Sequence, residues 1–108
     1  MSKYRTHHCN ELNKKHVNKS VLLSGWIHKK RDHGNLLFID LRDNFGFTQC
    51  IVDNENKNFS KLEKIPLETV IKIEGKVLER TIDTINKEIP TGEIEIKIVS
   101  YEILGKTK

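Results

Sequence analysis

Four stretches of the chain alternate apolar and polar residues with a period of two, the pattern of a strand with one face in a core and the other in water. In the first, Val21, Leu23 and Ile27 share a face, with Gly25 between them. A glycine inside a strand marks a sharp bend or bulge, a corner of the kind a small barrel needs. The second runs from Leu36 to Arg42 and points Leu37, Ile39 and Leu41 one way. From Val70 to Val77, Ile71, Ile73 and Val77 oppose Lys72, Glu74 and Lys76. From Glu93 to Val99, Ile94, Ile96 and Ile98 oppose Glu93, Glu95 and Lys97.

A denser β-rich run, Phe47 to Val52, follows the turn Asp43-Asn44-Phe45-Gly46 and lies between the second and third of these stretches. It predicts a further strand with Cys50 and Val52 inward and Gln49 outward. Asn58 to Ile65 carries Phe59, Leu62 and Ile65 near helical spacing and stops at Pro66, which predicts a short helix. A second short helix is expected over Asn10 to Lys15, ahead of the first strand. Five strands with a helix between the third and fourth is the order of the OB-fold. This all-β Greek-key barrel binds oligonucleotides on the face of strands two and three and at two loops. An SH3-like barrel shares the strand count; the place of the helix favours the OB order.

Composition narrows this picture without deciding it. The 108 residues suit one compact domain, residues 1–108, and 36% apolar with 31% charged residues is ordinary for a globular chain. A formal charge of +4 permits an anionic partner but does not demand one. No apolar run approaches the roughly 20 residues that cross a bilayer, and no hydrophobic stretch follows Met1-Ser2-Lys3-Tyr4-Arg5 to make a secretory signal. Cys9 and Cys50, with no Cys-x-x-Cys pairing, read as reduced thiols of a cytoplasmic protein, a disulfide staying open. His7-His8-Cys9 lacks the paired spacing of a zinc module. No Gly-rich phosphate loop is present, and Ser20, Ser24, Ser60 and Ser100 sit in no nucleophile elbow. Asp40, Arg42 and Asp43 suit strand-face ion pairs better than acid–base chemistry. The domain reads as a binder, with no cofactor or metal of its own.

Where it binds is suggested by the second strand. With Leu37, Ile39 and Leu41 inward, the other face must show Leu36, Phe38, Asp40 and Arg42. Phe38 is then an aromatic ring among charges, the device by which such barrels stack an unpaired base. Gln49, outward on the adjacent strand, offers a donor and an acceptor to a base edge. His28-Lys29-Lys30-Arg31 leads into the loop Asp32-His33-Gly34-Asn35 at the rim of the same face, where it would attract phosphates. Taken singly, Phe38 could pack under a loop, Gln49 could be merely solvated, and the basic run could be a solvated edge.

Together the motifs resemble a known family. Tyr4-Arg5-Thr6-His7-His8-Cys9-Asn10-Glu11-Leu12 is similar to the opening of bacterial aspartyl-tRNA synthetases. Gly25-Trp26-Ile27-His28-Lys29-Lys30-Arg31-Asp32-His33-Gly34 resembles their first strand and loop. Leu37-Phe38-Ile39-Asp40-Leu41-Arg42-Asp43 with Gly46 and Gln49, and then Thr91-Gly92-Glu93-Ile94-Glu95, resemble their later strands. The match spans the chain in order and spacing. It implies the anticodon-binding domain of such an enzyme. Phe38 would stack on the middle anticodon base, a uracil. Arg31, Gln49 and Glu95 would contact anticodon bases, and Lys29, Lys30 and Asn86 would hold the backbone. Glu95 is chosen by the resemblance alone; a carboxylate can accept hydrogen bonds from base amino groups.

His33 followed by Gly34, where relatives that charge only the aspartate tRNA carry Leu, resembles the non-discriminating members. The resemblance therefore implies relaxed choice at the third anticodon base, tRNA(Asp) and tRNA(Asn) both as partners, and correction of the misacylated product by an amidotransferase. Leu78 departs from the family, where many relatives carry a charge. A class II catalytic domain, with the ATP and magnesium sites and the homodimer interface, would follow the hinge expected near Gly105-Lys106-Thr107-Lys108. No aminoacylation is expected of this piece, and the isolated domain is expected to be monomeric. The rivals are a general single-strand-binding OB domain and a protein-docking barrel, with the asparaginyl enzyme as a remoter relative.

Overall fold

The computed structural model describes residues 6, 7, 9, 12–80, 85 and 91–106. Strands β1 (Ser20–Asp32), β2 (Leu36–Asp43) and β3 (Gly46–Asp53) precede a single-turn-and-a-half helix, α1 (Phe59–Lys64). Strands β4 (Thr69–Glu79) and β5 (Ile94–Lys106) complete a closed barrel in the order β1-β2-β3-β5-β4, with β4 returning to β1. Every pairing is antiparallel except β3 with β5. The expected strands, the helix between the third and fourth, and the OB order are all present.

Closure depends on β1, which pairs with β4 through its first half and β2 through its second, Trp26 lying in register with both Val70 and Arg42. The bend falls where Gly25 was expected to make it. A Cβ there would lie 2.2 Å from the Arg42 carbonyl oxygen, so only glycine lets the two backbones meet. A bulge between Ile27 and Lys29 adds twist just beyond. Inside, the apolar faces of all five strands meet: Leu23, Ile27, Ile39, Leu41, Cys50, Ile71, Ile73, Val77, Ile94 and Ile96 are wholly buried. Leu62 and Ile65, carried by α1 and its C-cap, are buried in the same core; Asn58 holds the N-cap position without a side-chain capping bond, and Pro66 follows the helix end.

Two expectations were corrected. The fifth strand does not stop at Val99 but runs to Lys106. Val99 is an extra residue in the ladder, because Ile98 pairs with Gly75 while Ser100 pairs with Glu74. That bulge shifts the alternation by one, so Tyr101 then faces the core beside Ile73. A strict period of two cannot be followed across such a step. The expected N-terminal helix over Asn10 to Lys15 is, among the described residues, a 3-10 turn at Lys14–His16. Asn13 sets its start: its side chain accepts from the Lys15 amide at 2.9 Å, and its own amide donates to His16 Nδ1 at 3.1 Å. Asn10 lies outside the described residues. Among the described residues no helix is long and apolar enough to cross a membrane.

Candidate nucleic-acid interface

Register alone brings the polar face together. Arg31 on β1 sits opposite Phe38 on β2, and Asp40 opposite Gln49 on β3. The parallel β3–β5 contact, Cys50 beside Ile96, places Glu95 next to Gln49 with its side chain on the outer side of the barrel wall. The turn at Thr91 anchors the start of β5: the buried Thr91 hydroxyl donates to the Phe47 carbonyl at 2.7 Å, and its carbonyl accepts from Ile94.

These side chains form one continuous hydrogen-bonded row. The Arg31 guanidinium forks onto Asp40, Nη1 to Oδ2 at 3.2 Å and Nη2 to Oδ1 at 3.3 Å. Arg31 Nη2 also donates to Gln49 Oε1 at 3.0 Å, and Gln49 Nε2 donates to Glu95 Oε1 at 2.9 Å. Asp40 and Gln49 are buried at 6% and 8% exposure, whereas the Arg31 side chain is 42% exposed. The outward assignment of Asp40 and Gln49 therefore holds for the direction they point, but not for solvation. Neighbouring side chains cover both, and burial of a carboxylate is tolerable here because it is forked by a guanidinium.

Half-buried Phe38 lies at the end of this row. Arg31 Cζ is 5.8 Å from its ring centroid, and the His33 ring meets it edge-on at 5.0 Å and 69°. His33 is presented by a tight turn in which the Gly34 amide donates to Asp32 Oδ1 at 2.9 Å and Gly34 takes φ +78°, a conformation glycine adopts freely. Asn54 donates from its backbone and its side chain to Asn35, each at 3.0 Å, so the loop is tied to the end of β3. The ring thus keeps an aromatic edge, a cation and a polar row at its margins, a platform suited to an unpaired base.

Arg80, just past β4, also belongs to this cluster. It is buried at 7% exposure, and its Nε donates to the Ile94 carbonyl at 2.9 Å. Burial lowers its pKa, Arg31 pushes the same way, and the carboxylates of Glu95 and Asp40 oppose both. Two arginines and two carboxylates therefore share the site. An arginine after a strand gives no sign of burial, so the periodic pattern could not single it out. Behind the row, burial and then the charges of Asp40 and Glu95 raise the Cys50 thiol far above its usual range. Cys9 and Cys50 are both buried and are not joined in a disulfide.

The remaining expected residues separate. Lys29 is exposed at the rim, opposite Asp40 in register. Lys30 points instead to the end of α1, where its ammonium donates to the carbonyls of Leu62 at 3.3 Å, Glu63 at 2.8 Å and Ile65. Asn86 lies outside the described residues. No group of three or more metal-binding side chains occurs among the described residues.

Comparison with known proteins agrees with the geometry. The family described as the OB-fold nucleic acid binding domain, of the tRNA anticodon type, matches residues 21–104. An Aspartate--tRNA(Asp/Asn) ligase of Pelagibacter ubique is 66% identical over 108 residues, and that of Parvibaculum lavamentivorans 50% identical over 109. Each match takes in 100% of this chain and 18% of the relative, so the chain spans about a fifth of the length of these relatives. An asparaginyl-tRNA synthetase structure from Pyrococcus horikoshii superposes with a TM-score of 0.76 at 24% identity, over 94% of this chain and 23% of that one, a likeness of fold. The chain belongs to the OB-fold nucleic acid binding domain family of the tRNA anticodon type.

Proposed function

We propose that the Phe38 face reads the anticodon loop of tRNA(Asp) and tRNA(Asn), as the anticodon-binding domain of an aspartate–tRNA ligase. The observation that carries this is the row Arg31–Gln49–Glu95 beside the Phe38 ring: a stacking surface with donors and acceptors at fixed positions along its margin. Phe38 stacks the middle base, an interaction worth about 1–3 kcal/mol. Arg31 and Gln49 address base edges, and Glu95 accepts from a base amino group. Lys29 neutralises a phosphate, adding affinity that falls with salt but carries no sequence information. His33, seated against Phe38, belongs to the reading of the third base, and its choice relaxes toward both tRNAs. The names of the relatives support the pair of substrates.

Aminoacylation, with its ATP, magnesium, aspartate and homodimer contacts, belongs on this reading to the part of the relatives that the chain does not span. So do the cytoplasmic setting and the later repair of misacylated tRNA(Asn). The decisive experiment titrates the chain with the aspartate loop, the asparagine loop and an unrelated stem-loop at two salt concentrations, each repeated with Phe38→Ala. Preference for the first two, lost with the ring, establishes anticodon reading. Equal binding to all three loops, indifferent to Phe38→Ala, would leave a general single-strand binder. A strong preference for the aspartate loop over the asparagine loop would sink the relaxed third-base choice alone.

A further inference from the structure

Asp40 is the least exposed member of the hydrogen-bonded row, at 6% against 8% for Gln49. Its side chain is 9% exposed, below the Arg31 guanidinium that covers it. Both carboxylate oxygens are occupied by Arg31, and the pair stands directly beside Gln49 on the neighbouring strand. The consequence for Gln49 is a matter of donors and acceptors. Arg31 can only donate and ionised Glu95 can only accept, so an amide set between them has one permitted orientation, oxygen toward Arg31 and nitrogen toward Glu95. Turned over, it would set an NH2 against a guanidinium and an oxygen against a carboxylate. The polarity of Gln49 therefore depends on Arg31 staying where Asp40 holds it.

We propose that Asp40 is a positioning residue that touches no base and sets anticodon selectivity by fixing Arg31, and through Arg31 the orientation of the Gln49 amide. This rests on the anticodon reading above and names how that site rejects a wrong base. A buried polar group held in one orientation pairs with one base edge, and a mismatched edge leaves it unpaired, the costly outcome. Without Asp40, Arg31 is a free cation on the rim, attractive to any phosphate.

The test compares Asp40→Asn with the unaltered chain on two stem-loops, one carrying the aspartate anticodon and one with its middle uracil replaced by cytosine. The expected result is a loss of at least fivefold in the ratio of the two dissociation constants, with binding to an unrelated loop unchanged or tighter. A purely structural role would weaken all loops by a common factor and leave the ratio alone, which would overturn the proposal. Arg31→Lys keeps the charge and loses the fork, so it is expected to lower the ratio equally, and adding Asp40→Asn to it to change the ratio less than twofold. Additive effects would sink the coupling. Should Asp40→Asn fail to melt cooperatively, Asp40→Glu, which keeps the charge and displaces the fork, decides instead: retained selectivity overturns the assignment and lost selectivity supports it.

A second readout needs no RNA. Nitrogen relaxation of the Gln49 side-chain amide is expected to show an ordered group in the free chain and a mobile one in Asp40→Asn or Arg31→Lys. An amide equally ordered in all three refutes the positioning. An unaltered chain that binds every loop alike refutes the anticodon reading instead, and the relaxation data still judge the positioning.

Discussion

Phe38 stands on a strand whose other face supplies three core residues, so its backbone is held by Leu37, Ile39 and Leu41 whatever happens to the ring. Removing the ring should therefore separate binding from folding. Phe38→Ala is expected to weaken the aspartate stem-loop by roughly fivefold to 150-fold, the equivalent of about 1–3 kcal/mol for one stacked base. Its denaturation midpoint should stay close to that of the unaltered chain. Calorimetric titration beside a urea melt checks both halves, and equal affinity in the variant would remove Phe38 from the interface. At this scale Phe38 and Gln49 were legible because alternation along a strand dictates which side chains face outward. The coverage of Asp40 and the inclusion of Arg80 were not, since each depends on a neighbour brought in from another strand.

Two adjacent lysines serve different elements. Lys30 closes the C-terminal end of α1 by donating to its last carbonyls, groups a helix cannot satisfy by itself. Lys29, one residue earlier, is exposed at the rim. Lys30→Met is expected to cost about 1 kcal/mol of stability, the net worth of an ordinary hydrogen bond, and to leave the salt dependence of loop binding unchanged. Lys29→Met should do the reverse, reducing the slope of log affinity against log salt by about 1 without shifting the melt. The basic run showed in the sequence as a single feature; only the reach of Lys30 to the end of α1 divides its labour. Gly75 makes a related point about strands. A Cβ there would lie 2.4 Å from Ile96 Cγ2 and 2.6 Å from the Lys97 carbonyl oxygen, so Gly75→Ala is expected to cost about 1–3 kcal/mol in a urea titration. An unchanged midpoint would mean that the bulge facing it yields.

For the molecule as a whole, Cys50 reports whether the barrel is closed. Its thiol is wholly buried and raised by that burial, then by Asp40 and Glu95. In the unfolded chain the same thiol ionises near its ordinary value of 9.0. The folded state then holds a proton that the unfolded state has released, so stability present below pH 9 declines as pH rises past it, by about 1.4 kcal/mol per unit. Between pH 8 and pH 10 the unaltered chain should lose more stability than Cys50→Val, as urea melts at the two pH values will show. Parallel losses would mean that the thiol finds water in the native barrel. Alkylation of Cys50 should likewise follow global unfolding, because the thiolate is the reactive form.

Five strands, their inward faces as far as Val99, the helix between the third and fourth, and the turn at Asp43-Asn44-Phe45-Gly46 could all be read along the chain. These are local properties: side-chain direction repeats every two residues in a strand, and turns and helix ends are marked by a few residue types. Family motifs then pointed to Arg31, His33 and Glu95. The tertiary structure decided what depends on separate segments meeting. Closing the barrel set Glu95 beside Gln49, covered Asp40 with Arg31, turned Lys30 to α1 and buried Arg80 behind them. It also carried β5 on to Lys106 through a bulge that breaks the alternation. Burial and hydrogen-bond partnership are properties of pairs distant in sequence, and a periodic pattern holds no record of which pairs will meet.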